Sequence, residues 1–449
     1  MGNPSIIVFT RDLRVRDNPA LVEAISSRRP LLALFVIDDF IVNSKNLSLN
    51  RLAFLIDSLR DLDSSLRKIG AKLVIRQGKW VEEVSSVAKE IKAEQIHISD
   101  DFSLFAKKRL TALRHSGELN GFKVFTHSGV SIVKPGLLSP ADGREYKIFT
   151  PYYRRWLEAA WRKPTEAPRA IQGLNLDDMS KKILDGFSLQ ECSPLIPKGG
   201  ESEGISNFNN WLSKENRNYQ HAQNDLQSDG TSRISPYLHF GCLSPLEVAL
   251  QALESNDDAF VRQLCWRDFF LQILNSRPEV SNNDYRDRNH LWNKSPETLN
   301  CWKEGKTGFP LVDAGMRQLK VEGFMHNRAR MVVSSFLTKD LYLDWRLGAE
   351  HFMKYLVDGD IASNQLNWQW VAGTGTDSNP NRIFNPTRQS ERFDPKGNYI
   401  RKWVPELKDL PPKEIHDPDL ATREKNNYPK PIVDHSEAIL IYKSKVSTK

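Results

Sequence analysis

The sequence predicts an α/β N-terminal domain, built on a doubly wound parallel sheet, followed by an all-α C-terminal domain. Three observations support this fold class. Residues 1–130 alternate short β-rich runs with amphipathic segments, which is typical of a parallel sheet covered by helices. Residues 131–200 are irregular and contain seven prolines, as expected of an interdomain linker. Residues 201–449 have helical patterns and little strand signal.

Short β-rich runs in the first 130 residues predict the strands of the sheet. The segment 51–69 between two of them is amphipathic, with leucines on one helical face. Near the N-terminus, Asp17 or Asn18 is expected to cap a helix that has Pro19 at its first position. No G-x-G-x-x-G follows the first run, so we do not expect an NAD-type site. The predicted strands are residues 5–9, 31–37, 72–76, 95–99 and 122–126.

Composition sets broad limits on the class of protein. A chain of 449 residues is long enough for roughly two to three domains, and 39% apolar residues are ample for a buried core. The 63 basic and 56 acidic side chains leave a net charge of +7, which permits binding to a polyanion. No stretch has the length and apolarity of a membrane span, and the N-terminus does not resemble a signal peptide. We therefore expect a protein of the reducing cytosol.

The cysteines do not predict a metal site. Cys192, Cys242, Cys265 and Cys301 include no pair at C-x-x-C spacing, which is the usual spacing of zinc ligands. We therefore expect no bound metal.

The most informative stretch is 358–370, DGDIASNQLNWQW. Asp360 is a good helix N-cap residue. Asn364 and Trp368 follow it at intervals of four residues, so a carboxylate, an amide and an indole are expected along one helical face. A capped helix that buries its tryptophans in a core would show the same pattern.

Three further motifs carry polar side chains suited to ligands. In 230–245, GTSRISPYLHFGCLSP, hydroxyls and an arginine before a helix suit phosphate oxygens. In 260–270, FVRQLCWRDFF, an indole lies beside a guanidinium and an amide, which suits stacking on a base. In 323–331, GFMHNRARM, Asn327 and Met331 share a helical face. Ordinary helix capping and core packing explain each motif when it is taken alone.

Together these motifs resemble the photolyase/cryptochrome family. The resemblance runs from FTRDLRVRDNPAL near the N-terminus to IRKWVPEL near the C-terminus, so it covers nearly the whole chain. It implies an FAD-binding helical domain at 201–449, with FAD active as the reduced anion, and an antenna-type domain at 1–130. The implied activity is light-driven repair of cyclobutane pyrimidine dimers in UV-damaged DNA. The enzyme class is that of a deoxyribodipyrimidine photo-lyase.

The resemblance also assigns residues to the cofactor. One branch of the family has a four-cysteine iron–sulfur cluster late in the chain, but no cysteine follows Cys301, so we expect none here. The residues expected to contact FAD are Tyr219, Thr231, Ser232, Arg233, Ile234, Ser235, Arg267, Asn327, Arg330, Asp358, Asp360 and Asn364.

Two further sets of residues follow from the same resemblance. Trp368, Trp345 and Trp292 match the family's electron relay, and Asn364 matches the residue that faces flavin N5. A neutral amide there tolerates an anionic flavin, whereas a carboxylate would repel it. The residues expected at DNA or the lesion are Gln263, Trp266, Asn327, Arg328, Met331, Trp370 and Gln389.

The lesion and the functional class have alternatives. Gln263 stands where many enzymes for cyclobutane dimers have glutamate, which favours a (6-4) photolyase. Asn327 and Met331 stand where (6-4) enzymes have two histidines, which favours the cyclobutane dimer. His326 is one position away from that pattern and is interpreted as a helix-packing residue. A cryptochrome-type photoreceptor without repair activity is the other alternative, and Asn364 and the short segment after Pro405 oppose it.

The sequence gives less information about the antenna chromophore, the oligomeric state and the cellular location. The segment 100–110 has no clear match to the acidic residue that holds a folate in relatives. A deazaflavin, a folate, a flavin or no antenna at all therefore stay open. We expect a monomer that acts in the cytoplasm with chromosomal DNA.

Overall fold

A computed structural model describes residues 2–26, 28–44, 47–140, 143, 145–176, 179–214, 218–228 and 230–447. The N-terminal region contains one sheet of five parallel strands in the order β3-β2-β1-β4-β5. Strand β1 pairs with β2 on one side and with β4 on the other, so the strand order reverses at β1 and the sheet is doubly wound. The predicted α/β class and all five predicted strands are confirmed. The strands are β1 Ser5–Val8, β2 Leu31–Asp38, β3 Leu73–Gly78, β4 Gln95–Ser99 and β5 Lys123–His127.

Twelve α-helices lie in the described residues up to position 276. Asn18 caps the first of them, since its Oδ1 accepts the backbone N–H of Leu21 at 3.0 Å. The twelve are α1 Pro19–Ser26, α2 Asp39–Val42, α3 Leu49–Lys68, α4 Trp80–Glu90, α5 Leu104–Asn120, α6 Phe149–Glu158, α7 Ser180–Asp185, α8 Glu201–Leu212, α9 Tyr219–Ala222, α10 Ser235–Phe240, α11 Pro245–Glu254 and α12 Asp258–Ser276.

The rest of the described chain is helical, as predicted. Short 3₁₀ turns occur at Pro278–Ser281 and Pro405–Leu407, and a π-helical turn occurs at Phe336–Asp340. The α-helices are α13 Pro296–Glu304, α14 Pro310–Glu322, α15 Asn327–Ser335, α16 Trp345–Tyr355, α17 Ile361–Ala372, α18 Pro386–Phe393, α19 Asn398–Trp403, α20 Leu420–Lys425 and α21 His435–Ser447. In the described part of the chain, none of the helices is long and apolar enough to cross a membrane.

The chain divides into two compact units that alternate along the sequence. The first unit comprises Met1–Cys192, Pro197–Lys214 and Ser232–Glu279. The second unit comprises Ser193–Ile196, Glu215–Thr231 and Val280–Lys449. The domain boundaries expected at residues 130 and 200 stay a prediction.

A buried carboxylate on helix α12 forms hydrogen bonds with two other segments of the first unit. Asp268 is 1% exposed, and its Oδ2 accepts hydrogen bonds from the backbone of Ile132 and Val133 and from the Trp156 indole, at 2.9–3.0 Å. Burial raises the pKa of Asp268 to about 6. The segment after β5, helix α6 and helix α12 therefore meet at one carboxyl group.

The core of the second unit is built from helices α13 to α17 and α19. It contains the fully buried indoles of Trp302 and Trp345 and the nearly buried indole of Trp368. Apolar side chains of these helices supply much of the rest of this core, and residues of the connecting segments, such as Met325 and Ile415, complete it.

Two consecutive residues of the π-helical turn hold helix α21 in the second unit. The Lys339 ammonium donates to the Tyr442 hydroxyl at 2.7 Å and to the Ala372 carbonyl at 2.8 Å. Asp340 pairs with His435 at the start of α21. Burial lowers the pKa of Lys339 to about 7.

Candidate active site

The turn that opens α17 contains two carboxylates with different partners. Asp360 caps the helix as predicted, since its Oδ1 accepts the backbone N–H of Ser363 at 2.9 Å. Asp358 accepts instead from Arg330 Nη2 at 2.8 Å. Arg330 Nε also donates to the Met325 carbonyl at 2.7 Å. Asp358 and Arg330, both predicted to contact FAD, are therefore paired with each other in the second unit.

Asn364 and Trp368 lie one turn apart on α17, and both are buried, with exposures of 8% and 2%. Asn364 Nδ2 donates to the Ala349 carbonyl of α16 at 3.1 Å. The Trp368 ring lies against Gly348 of the same helix, where an added Cβ would be 2.2 Å from the ring. Close packing of α16 and α17 therefore requires glycine at 348 and fixes both side chains.

The three tryptophans of the predicted relay have distinct environments in the second unit. Trp368 makes ring contacts with Trp302 at 6.0 Å and with Phe352 at 5.0 Å. Trp345 is fully buried, and its indole N–H donates to Asp284 Oδ1 at 2.8 Å. Trp292 is half-buried, so it is the most exposed member of the three.

Two polar aromatic residues surround Trp292. The His290 ring stacks on it at 4.4 Å, and the Tyr342 ring lies 5.0 Å away at an angle of 46°. The Tyr342 hydroxyl is 3.0 Å from His290 Nδ1. Neither residue was predicted from the sequence as part of the site.

The predicted phosphate-binding residues precede α10. Ile234 occupies the N-cap position of α10, and its side chain makes no hydrogen bond to the helix backbone. Arg233 has φ +51°, a left-handed conformation that is uncommon for a residue other than glycine. Ser232, Arg233 and Ser235 are half-buried in the first unit. In the second unit, Thr231 is half-buried and its Oγ1 is inaccessible to solvent.

Tyr219 begins the short helix α9 of the second unit and is half-buried. Asn218 caps that helix, since its Oδ1 accepts the backbone N–H of His221 at 3.2 Å. The contact of Tyr219 with FAD stays a prediction.

Helix α12 presents Gln263 and Trp266, which were predicted to contact the lesion, and Arg267, which was predicted to contact FAD. Trp266 is half-buried and stacks on Phe149 of α6, with ring centroids 3.7 Å apart and planes 4° apart. Arg267 donates to the carbonyls of Val130 at 2.6 Å and Leu238 at 3.3 Å. Gln263 is half-buried on the same helix. The sequence did not identify Phe149 as a partner of Trp266, although FTPYYRRW is rich in aromatic residues.

The predicted DNA-contacting residues of the second unit lie on α15, α17 and α18. The Arg328 guanidinium donates to Asn224 and lies 4.2 Å from the centre of the Phe393 ring. Burial, and secondarily the charge of Arg392, lowers the pKa of Arg328. Gln389, also on α18, is half-buried and its Oε1 has no hydrogen-bond partner among the described residues.

Trp370 is half-buried at the end of α17, and the Arg382 guanidinium lies 5.1 Å from the centre of its ring. A cation over one face of the indole is a favourable contact. The contact of Trp370 with a lesion stays a prediction.

His326 lies at the start of a helix and has a structural role there. It precedes α15 and caps it, because its Nδ1 accepts the backbone N–H of Arg328 at 3.1 Å. His326 is also 7% exposed, which agrees with the interpretation as a helix-packing residue, and the cap is a contact that the sequence did not predict. Asn327 is exposed at the first position of α15, and Met331 is half-buried one turn later.

In the described ranges, no group of three His, Cys, Asp or Glu side chains is placed to hold a metal ion. Cys192, Cys242, Cys265 and Cys301 are free thiols. Burial raises the pKa of Cys242 to about 12, so this thiol is protonated near neutral pH.

Comparison with known proteins decides the family. Residues 5–169 match the family model described as DNA photolyase, and residues 260–448 match the model described as the FAD binding domain of DNA photolyase. The chain belongs to the DNA photolyase family. A curated relative is the deoxyribodipyrimidine photo-lyase of Streptomyces griseus. The two sequences are 44% identical over 444 residues, and the alignment covers 97% of each chain. FAD is therefore the cofactor of the helical region.

Solved structures of the family share the whole fold. A bacterial class III photolyase from Agrobacterium tumefaciens is 31% identical, with a TM-score of 0.91 over 100% of this chain and 98% of that chain. An archaeal photolyase from Sulfolobus tokodaii, solved with two FAD molecules, is 32% identical, with a TM-score of 0.89 over 99% and 100% of the two chains. The second FAD of that protein is described as implying a novel light-harvesting cofactor.

The donors of this chain fit FAD. The Thr231 hydroxyl is buried and has no hydrogen-bond partner in the described part of the chain. Buried polar atoms are rarely left without a partner in native proteins, and a phosphate oxygen would accept from this hydroxyl. The left-handed backbone of Arg233 also costs free energy, as is common where a ligand is held.

Proposed function

We propose that this protein repairs cyclobutane pyrimidine dimers in DNA under light. The family and its curated photo-lyase relatives support the reaction class. The observation that carries the choice of lesion is the pair Asn327 and Met331, which lie one turn apart on α15 where a (6-4) enzyme has two histidines.

The chemistry of the two lesions explains this choice. Opening a cyclobutane ring requires one electron in and one electron out, with no obligatory proton transfer. Reversal of a (6-4) product moves a hydroxyl or amino group between bases and calls for an acid such as histidine. Asn327 offers an amide and Met331 a polarisable thioether, and neither side chain titrates near neutral pH. Gln263 is compatible with either lesion, because its amide can bond a thymine carbonyl or imide.

FAD, bound as the reduced anion and excited by light, supplies the electron that the lesion takes up and returns. The protein places a neutral, buried amide at Asn364, and the Ala349 carbonyl orients it. A neutral group near an anion avoids the repulsion that a carboxylate would cause at low dielectric. We expect an Asn364→Asp variant to bind the reduced anion less well than the oxidised form.

The contacts that hold FAD are inferred residue by residue. Hydroxyls and a guanidinium are suited to the pyrophosphate, and the carboxylates of the α17 turn are suited to the flavin head group and ribityl chain. The proposed set is Tyr219, Thr231, Ser232, Arg233, Ile234, Ser235, Arg267, Asn327, Arg330, Asp358, Asp360 and Asn364.

DNA binding uses phosphate contacts and stacking. Photolyases extrude the target from the duplex, so the lesion needs flat apolar surfaces and hydrogen-bond donors. Trp266 stacks on Phe149 with one face and is half-buried, which supports its assignment as an apolar surface for the lesion. Arg328 is proposed to contact a phosphate, and Gln389, which is half-buried on α18, is proposed as a second contact with the DNA. Trp370, Asn327, Met331 and Gln263 complete the proposed lesion contacts.

Photoreduction is proposed to move an electron inward through Trp292, Trp345 and Trp368. Trp368 and Trp345 are buried and Trp292 reaches solvent, which supports a route from the surface. The protein is further proposed to act as a monomer in the cytoplasm, with chromosomal DNA. Its four free thiols support a reducing compartment.

The test is a pair of oligonucleotides, one with each lesion, illuminated with the reduced protein and kept in the dark as a control. We expect repair of the cyclobutane dimer in light only. Repair of the (6-4) product alone would overturn the choice of lesion. Repair of neither would place the protein among photoreceptors.

A further inference from the structure

We propose that Tyr342 is an electron donor beyond Trp292 and that His290 accepts its phenolic proton. This inference rests on the proposed tryptophan relay. It extends the relay by one residue and makes the last step a coupled transfer of an electron and a proton.

The geometry places the three rings in mutual contact within the second unit. The Tyr342 ring centre is 5.0 Å from that of Trp292, close enough for direct electron exchange. The Tyr342 hydroxyl is 3.0 Å from His290 Nδ1, and the His290 ring stacks on Trp292 at 4.4 Å. The donor, the acceptor of its electron and the acceptor of its proton are therefore neighbours.

The surroundings of Tyr342 favour loss of the proton together with the electron. Tyr342 is only 2% exposed, and the Lys445 ammonium lies 4.3 Å from the centre of its ring. A positive charge left on the ring would be poorly solvated and repelled by this ammonium. Burial also raises the pKa of Tyr342, so the phenol keeps its proton near neutral pH until the ring is oxidised.

The backbone at Tyr342 is unusual for a bulky residue. Tyr342 has φ +51°, and strained conformations of this kind persist only when the surroundings fix them. Asn293 supplies that restraint, because its backbone N–H donates to the Tyr342 carbonyl at 2.8 Å and its Nδ2 donates to the Leu341 carbonyl at 3.0 Å. These two hydrogen bonds hold the backbone that places the ring against Trp292 and His290.

The step balances in atoms and charge. The relay leaves an indole radical cation at Trp292. Tyr342 gives it one electron, and the phenolic O–H proton moves to Nδ1 of His290. The products are a neutral indole, a neutral phenoxyl radical and an imidazolium ion, so the total charge stays at one positive. Because the reverse step must also transfer both an electron and a proton to Tyr342, charge recombination is slower.

The experiment follows the radical of the protein itself. The holoprotein with oxidised FAD is illuminated, and electron paramagnetic resonance distinguishes a phenoxyl radical from an indole radical. Transient absorption in H₂O and D₂O follows the decay. We expect a phenoxyl signal in the wild type and a formation rate that is slower in D₂O.

Three variants and a control locate the step. Tyr342→Phe should lose the phenoxyl signal and keep an indole radical that decays faster than the wild-type phenoxyl radical. His290→Gln, whose amide can accept a hydrogen bond but cannot hold the proton, should lose the phenoxyl signal as well. Trp292→Phe should prevent both radicals at this position. Tyr355→Phe removes another tyrosine beside a histidine ring, at 5.1 Å from His351, and should leave the signal unchanged.

The outcomes separate this inference from the relay. A wild type that shows only an indole radical, with a decay unaltered by Tyr342→Phe, would overturn the role of Tyr342 and leave the relay intact. A phenoxyl signal that persists in Tyr342→Phe would assign the radical to another tyrosine. A wild type without any protein radical would overturn the relay, and this inference with it.

Discussion

Trp345 donates its indole N–H to the Asp284 carboxylate at 2.8 Å, which places a negative charge beside the middle tryptophan of the proposed relay. Arg346 opposes this effect, since its guanidinium lies 4.7 Å from the centre of the Trp345 ring and also donates to Asp284 at 2.8 Å. The indole N–H of Trp368 is buried and has no acceptor among the described residues. We therefore expect the direct hydrogen bond to Asp284 to make a hole more stable on Trp345 than on Trp368, which would direct it outward.

Asp284→Asn should slow photoreduction of FAD. The substitution removes the charge that stabilises oxidised Trp345, and a hydrogen bond to a charged group contributes about 1.5–3 kcal/mol. We expect the quantum yield to fall severalfold, measured as the rate of flavin bleaching under constant light with an external reductant. Arg346→Gln is the matched control, and its yield should stay the same or rise. Equal losses in both variants would indicate a structural effect instead.

Trp368→Phe should leave most of the FAD oxidised under the same illumination. Phenylalanine keeps an aromatic ring but is far harder to oxidise than an indole. Trp403→Phe, another largely buried tryptophan of the second unit, is the control and should photoreduce normally. If Trp368→Phe photoreduces at the wild-type rate, the electron uses another route, for example through Trp370.

Arg233→Ala should weaken retention of FAD. Loss of a charge-assisted contact costs about 1.5–3 kcal/mol, which corresponds to roughly a tenfold or greater rise in the dissociation constant. Flavin content after extensive dialysis, read from the absorption spectrum, measures the effect. Arg233→Lys should recover part of the affinity, because it restores the charge. Full occupancy in the alanine variant would remove Arg233 from the phosphate contacts.

Arg328→Ala should lower the affinity for damaged DNA and reduce its dependence on salt. Each phosphate contact releases roughly one counterion, so the slope of log K against log salt should flatten by about one unit. Fluorescence anisotropy at several salt concentrations measures this slope. Arg60→Ala, which removes an exposed arginine paired with Asp185, is the control. A slope that matches the wild type would show that Arg328 contacts no phosphate.

Asp268→Asn should change how stability depends on pH. The pKa of Asp268 is raised from 3.8 to about 6, so its protonated form favours the folded state. This contribution is complete below about pH 4 and is lost as the pH rises through about 6, with a size on the order of 2–3 kcal/mol. Asparagine does not titrate, so the variant should gain stability relative to wild type across this window. Parallel pH profiles of the urea midpoint in the two proteins would contradict the assignment.

The fold was predictable because its signals are local. Periodic leucines before residue 70, β-rich runs such as the one at Gln95–Ser99 and the Asp360 cap each depend on residues close in sequence. The four-residue spacing after that cap also predicted that Asn364 and Trp368 share a helical face, and both are buried on α17.

Other features of the site depend on contacts that are distant in sequence. Phe149 and Trp266 are 117 positions apart and become partners only when α6 packs on α12. Asp284 reaches Trp345 across 61 positions, and His290 reaches Tyr342 across 52. The cap formed by His326 is a local contact that the sequence did not predict either, because histidine is not among the usual N-cap residues.

The π-helical turn at Phe336–Asp340 makes helix α21 an integral part of the second unit. An ammonium at Lys339 and a carboxylate at Asp340 are buried in adjacent positions, and their side-chain partners Tyr442 and His435 both come from that helix. Deletion of the last fifteen residues would remove the side-chain partners of both charged groups and uncover the surface on which the helix packs. A purification tag should therefore be added beyond the helix, and trimming the chain back to residue 434 should yield aggregated protein.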